Sequence, residues 1–74
     1  MKLSGAKVGE KVKIIEISGG ALKARLDSMG IKVGDSVSVM NIAPFKTPVE
    51  IKKGNFRLAL GRTETDDITV EYDG

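Results

Sequence analysis

The chain contains no cysteine and no histidine. Without cysteine there is no disulfide, no thiolate nucleophile, no zinc–thiolate site and no iron–sulfur cluster. Without histidine the commonest transition-metal ligand and the usual general base at neutral pH are both missing. Aromatic residues are scarce and far apart, at Phe45, Phe56 and Tyr72, so a base-stacking platform is hard to assemble. No segment is apolar over the length of a membrane span, and the opening Met1-Lys2-Leu3-Ser4-Gly5-Ala6 lacks the apolar core of a signal peptide. No excess of one charge stands out either. Twelve Lys and Arg against ten Asp and Glu give a net charge of +2, and their mixing describes a solvated surface more than an electrostatic footprint. These absences lead to the expectation of a soluble cytoplasmic protein, with work at the inner face of the membrane left open where a partner recruits it.

What is present fits one domain, residues 1–74. A chain of this size buries only about 60% of its unfolded surface, so each core position counts. The most informative stretch is Ser18–Val39. Leu22, Leu26 and Met29 recur at i, i+4 and i+7 and define one apolar stripe of a short helix. Gly30 stands where a left-handed residue ends such a helix, and Ile31 where a side chain folds back on the residue three before the cap, here Leu26. Val33-Gly34-Asp35 then turns the chain into a strand whose Val37 and Val39 alternate with serines.

Around this unit the chain reads as strands. Residues 1–9 form a lead-in that packs Leu3, followed by a turn at Val8-Gly9-Glu10. Lys11–Ile17 is a strand whose doubled Ile14-Ile15 breaks alternation, the mark of a bulge, a bend or burial on both faces. Lys7–Ile14 echoes Lys32–Val39, sharing a Val-Gly-acid turn that feeds a strand. Convergent turn chemistry accounts for this echo better than duplication, and without a third copy it is not a solenoid. Asn41–Pro48 is a loop that its two prolines hold extended. Val49–Lys53 and Phe56–Leu60 alternate about a tight Gly54-Asn55 turn, with Phe56, Leu58 and Leu60 facing inward. Thr63 offers a capping hydroxyl to a brief helical turn with acids in its first residues, Ile68–Tyr72 is a final strand, and Asp73-Gly74 is a free end. The fold expected is mainly β: a small five-stranded SH3-like barrel, with one short α-helix between the first two strands and a helical turn before the last.

The order of these residues closely resembles the FeoA family. The pattern runs from the glycine pair through Arg25-Leu26, Met29-Gly30-Ile31, Val33-Gly34 and Val37. It continues through Pro44-Phe45, Pro48-Val49-Glu50-Ile51, Arg57-Leu58-Ala59-Leu60-Gly61-Arg62 and the Ile68–Val70 pair, nearly the whole chain. The resemblance implies a free-standing SH3-like domain of the prokaryotic cytoplasm that serves ferrous iron transport. It implies as partner FeoB, a membrane permease with a cytosolic GTP-binding domain. The related C-terminal domain of DtxR-type metal-dependent repressors is joined to a DNA-reading domain that has no counterpart here. Those repressor domains can draw metal ligands from the helix after the first strand, where this chain offers only Asp27.

An enzyme would need a nucleophile and base, paired carboxylates or a phosphate loop. Gly19-Gly20 lies in neither a Gly-x-x-x-x-Gly-Lys nor a Gly-x-Gly-x-x-Gly pattern, so it reads as a tight strand-to-helix turn. No catalytic residue and no cofactor are expected. For a metal the one tight set of oxygen ligands is Glu64, Asp66 and Asp67, suited at most to a weak, transient Fe²⁺ contact; the same acids also complement a helix N-terminus. For a partner the expected surface is Arg25, Met29, Pro44, Phe45, Lys46 and Pro48, with Arg25 beside the Pro44–Pro48 loop. Met29 serves either this surface or the helix stripe, and Phe45 is either an exposed anchor or a plug over one end of the barrel. The alternatives to a binding module of iron transport are a nucleic-acid-binding barrel and a stand-alone metal-sensing domain.

Overall fold

A computed structural model describes residues 1–73. In β1 (Lys11–Ile17) Val12, Ile14 and Ile17 are buried, the period-2 pattern of a half-buried strand with one step too long. The extra step is a bulge: the ladder to the last strand shifts register between Ile14 and Glu16 and leaves Ile15 unpaired and 42% exposed. After α1 (Gly20–Ser28) comes β2 (Ser36–Ile42), longer than the expected loop boundary allowed, since Asn41 and Ile42 continue the strand. Then follow β3 (Val49–Lys53), β4 (Phe56–Leu60), a short helix α2 (Arg62–Asp66) and β5 (Ile68–Tyr72).

The strands form one antiparallel sheet in the order β4-β3-β2-β1-β5. β2 pairs with β1 over Ser36–Ser38 and with β3 over Ser38–Ile42, and a second register shift, between Val39 and Asn41, lies inside the β2–β3 ladder. Only Gly61–Asp67 separates β4 from β5 in sequence, and the sheet curls into an SH3-like barrel without a β4–β5 ladder. Its core includes Leu3, Val12, Ile14, Leu26, Ile31, Val39, Ile51, Leu60 and Ile68. Met1 exchanges two backbone hydrogen bonds with Val70, at 2.7 and 2.9 Å, and Lys2 bridges to Thr69, which covers the outer edge of β5. Asp73 is tied down as well: its N–H donates to the Lys11 carbonyl at 3.0 Å and its carboxylate accepts from Ser36. The expected free end therefore does not begin at Asp73, and Gly74 lies outside the described residues.

The two echoed turns turn out to be structural equivalents. Gly9 and Gly34 both have positive φ, +91° and +96°. The Lys7 N–H donates to the Glu10 carboxylate as the Lys32 N–H does to Asp35. Gly9 N–H donates to the Val39 carbonyl and Val39 N–H to Glu10, while Gly34 N–H donates to Ile14 and Ile14 N–H to Asp35, all at 2.8 or 2.9 Å. A local two-fold axis through the Val12–Val37 pair relates the two sets, and each turn locks one end of the β1–β2 ribbon.

Helix α1 buries Leu22 and Leu26. Met29 falls at its C-cap and stays 37% exposed, so the apolar stripe stops one residue short of the expectation. The helix ends in a Schellman motif: Ile31 N–H donates to Leu26 and Gly30 N–H to Asp27, with Gly30 at φ +81°. Lys53, at the β3–β4 turn, donates to the Gly30 carbonyl and to Asp35 Oδ2 at 2.7 Å. One cation thus meets the helix C-terminus, where the macrodipole favours it, and pins the hairpin to the α1–β2 turn. The hydrogen bond from Lys53, then that from the Lys32 N–H, hold the Asp35 carboxyl below its usual pKa against a smaller opposing effect of desolvation.

Two outcomes follow. Gly30→Ala costs about 1–2 kcal/mol in urea denaturation, because the left-handed backbone penalises a Cβ even where no atom lies within 4 Å of it. Asp35 has a lowered pKa in the folded state, so its contribution is present above the unfolded value and is lost as pH falls through the folded one. Asp35→Asn therefore lowers stability at neutral pH and flattens the acid limb below about pH 4, as measured by unfolding midpoints across pH.

Candidate functional site

The segment from Ala43 to Pro48 is a folded turn, not the extended loop its prolines suggested. Lys46 N–H donates to the Ala43 carbonyl at 2.8 Å and Ala43 N–H to the Pro48 carbonyl at 3.2 Å. Pro44 supplies the fixed φ of the first central position and Lys46 takes a left-handed φ of +72°, unusual for a residue other than glycine. The turn drives Phe45 outward to 84% exposure, the largest value of any large hydrophobic side chain among the described residues. Phe45 is therefore not a plug over the barrel, and Pro44 and Pro48 are exposed beside it.

On the α2 side of this turn lies a polar groove of about 350 Å³ lined by Ser4, Lys46, Thr47, Arg62, Thr65 and Asp66. Thr65 is fully buried and its hydroxyl donates to the Arg62 carbonyl at 2.9 Å, anchoring the floor. Among the described residues neither Lys46 nor Arg62 has an acidic partner within ion-pair distance. The groove therefore presents two unpaired cations and one carboxylate, Asp66, beside the turn that carries Phe45.

Arg25 does not join this surface. It pairs with Glu64 of α2, in a second cleft of about 430 Å³ formed with Gly19, Gly20, Ala21, Leu22, Thr63 and Asp67, which contains no residue of the Pro44–Pro48 turn. The other oxygen of Glu64 accepts from the Gly61 N–H at 2.9 Å and so caps α2 from its third position, half of a capping box. The N-cap of α2 is Gly61, two residues before the expected hydroxyl cap at Thr63.

The same short helix disperses the three acids that are adjacent in sequence. Glu64 faces Arg25, Asp66 faces the Lys46 groove, and Asp67 lies against Gly19. Among the described residues no three acidic side chains are placed to hold a metal ion. Asp27, the one acid of α1, pairs instead with Lys32 at 3.7 Å. Arg62 lines the groove together with Lys46, its direction set by the start of α2.

The fold is that of a small SH3-like barrel domain, with an aromatic-tipped turn beside a polar groove. Residues 1–72 match the FeoA domain model, and the chain belongs to the FeoA family. The FeoA protein from Chlorobium tepidum is 30% identical, with a TM-score of 0.86 over 97% of this chain and 70% of that one. The iron(II) transport protein A from Clostridium thermocellum is 34% identical, with a TM-score of 0.81 over 97% of this chain and 45% of its own. The manganese regulator SloR, at 16% identity and a TM-score of 0.85 over 99% of this chain and 34% of its own, shares the fold. The Fe(2+) transport protein A/Fe(2+) transporter FeoB fusion protein of Porphyromonas gingivalis is 29% identical over 72 residues, 96% of this chain; the chain spans only 8% of that protein's length.

Because Glu64 both caps α2 and holds Arg25, Glu64→Ala costs about 1–2 kcal/mol in denaturant unfolding. Arg25→Ala, which removes only a half-exposed ion pair, costs under about 1 kcal/mol.

Proposed function

We propose that this domain is a non-enzymatic accessory module of ferrous iron transport that docks on the cytosolic part of a FeoB-type permease and tunes its GTP-driven work. The observation that carries the reading is the Porphyromonas gingivalis protein, in which a similar sequence is joined to a FeoB transporter in one chain. A covalent linker places two modules at an effective concentration in the millimolar range, where even a feeble contact is occupied. Docking needs, besides proximity, an interface that the partner can recognise. The Pro44–Pro48 turn supplies the features such an interface requires: a fixed backbone, an exposed aromatic and unpaired cations at its flank.

In this reading the domain works in the cytoplasm and is recruited to the inner face of the membrane by its partner; no described helix is long and apolar enough to cross a membrane. The iron is the transporter's cargo, and contact between Fe²⁺ and the dispersed acids Glu64, Asp66 and Asp67 is weak and transient.

The test is a calorimetric titration of the domain into the transporter's cytosolic region at low salt, with and without guanine nucleotide. Binding is expected in at least one state. Phe45→Ala should weaken it by roughly tenfold to a hundredfold, the worth of burying one large apolar side chain, and should leave the unfolding midpoint unchanged because Phe45 touches little of its own fold. No binding in either state removes the partner from the account.

A further inference from the structure

The two outer strands of the sheet are treated differently. β5 has its edge covered by the chain's own N-terminus, whereas β4 has no such cover. The β3–β4 hairpin is closed by two residues, Gly54 and Asn55, with Lys53 opposite Phe56. The pair that flanks a two-residue turn is of the hydrogen-bonded kind, and the kinds alternate along the ladder. Phe56, Leu58 and Leu60 therefore spend their backbone groups on β3, and Arg57 and Ala59 aim theirs away from it. Among the described residues no other backbone group bonds to Arg57 or Ala59.

Most of the usual protections of an edge are missing as well, Arg57 being the one charge on the strand. The β3–β4 ladder runs through all five pairs without a bulge, and the strand contains no proline and no lysine. On its inner face Phe56 is 42% exposed and Leu58 only half-buried, although alternation assigns both to the core. They are uncovered because the sheet has no next strand to shield them. On its outer face Arg57 lies directly opposite Lys52, a repulsive pair relieved only by the diagonal contact of Arg57 with Glu50 at 3.5 Å. Lys52 has no ion-pair partner among the described residues, and β4 leads through Gly61 to Arg62 and the Lys46 groove.

We infer that β4 is a strand-addition site for an extended acidic segment of another protein. Such a segment would pair its backbone with Arg57 and Ala59 and place alternate apolar side chains over Phe56 and Leu58. Its carboxylates would lie beside Arg57 and along the path to Arg62. The charge selects this occupant over a second copy, since a copy pairing antiparallel on β4 would turn its own Arg57, on the same outer face, toward this Arg57.

The probe is a blocked peptide of alternating glutamate and valine, titrated into the isotope-labelled chain and followed by amide chemical shifts and hydrogen exchange. Its lysine–valine counterpart is the comparison. Shifts should be saturable and centred on Phe56–Leu60, with slowed exchange at Arg57 and Ala59, and the lysine peptide should bind far more weakly. Ala59→Pro removes an outward N–H that β3 does not use, and should weaken binding at least about tenfold. Arg57→Glu, a surface charge reversal that keeps the chain foldable, should invert the preference between the peptides. Shifts centred elsewhere, equal affinity for both peptides, or no binding would overturn the assignment. So would a β4-mediated dimer, seen in sedimentation, that the acidic peptide fails to dissociate.

Discussion

The barrel depends on how the β1–β2 ribbon is held at its two ends. The two strands share only three residue pairs, Lys11–Ser38, Val12–Val37 and Lys13–Ser36, which is too short a ladder to be stable alone. The paired turns at Gly9 and Gly34 extend it, each adding two backbone hydrogen bonds across the ribbon and each braced by an acid that accepts from a lysine N–H. Positive φ at the glycine makes this geometry possible, and two glycines at an interval of 25 residues allow it twice. Val12 and Val37, at the centre of the arrangement, are fully buried.

The rest of the molecule hangs from that ribbon. On one side β5 pairs with β1 and is itself covered by Met1 and Lys2. On the other, β2 pairs with β3 from Ser38 to Ile42, with a bulge at Met40 inside that ladder. The link back is electrostatic: Lys53 bonds at once to the acid of the second turn and to the carbonyl that ends α1. Helix, turn and hairpin are thus fixed relative to one another by a single side chain. The other helix, α2, closes the remaining gap with Glu64, whose two oxygens serve Gly61 and Arg25.

Strand positions were legible because alternation is strong where one face is buried: Lys11–Ile17, Val49–Lys53, Phe56–Leu60 and Ile68–Tyr72 have the bounds their patterns suggest. The cap at Gly30 was legible for equally local reasons, and the break in alternation at Ile14-Ile15 resolved into a bulge, one of the three outcomes it allowed. What failed depended on neighbours. Phe56 obeys the alternation yet stays exposed, because periodicity cannot tell an edge strand from a central one. Glu64, Asp66 and Asp67 are close in sequence, but the N-cap at Gly61 sets their directions, and the capping reach of Glu64 fixed it where a hydroxyl at Thr63 was expected. Arg25 went to Glu64 for the same reason. The Pro44–Pro48 turn escaped because Lys46 adopts a φ its residue type seldom takes.

The functional account makes the Phe45 turn the contact surface of a FeoA-family domain, held rigid by the barrel and charged at its flank. Its most direct test is cross-saturation NMR of the labelled domain bound to the unlabelled cytosolic region of a FeoB-type transporter. The account predicts signal loss concentrated at Pro44–Thr47 and Arg62, with the α1 face around Ala24 and Asp27 unaffected. Loss confined to that α1 face, or none at all under conditions where the transporter's cytosolic region is folded and in excess, would contradict it.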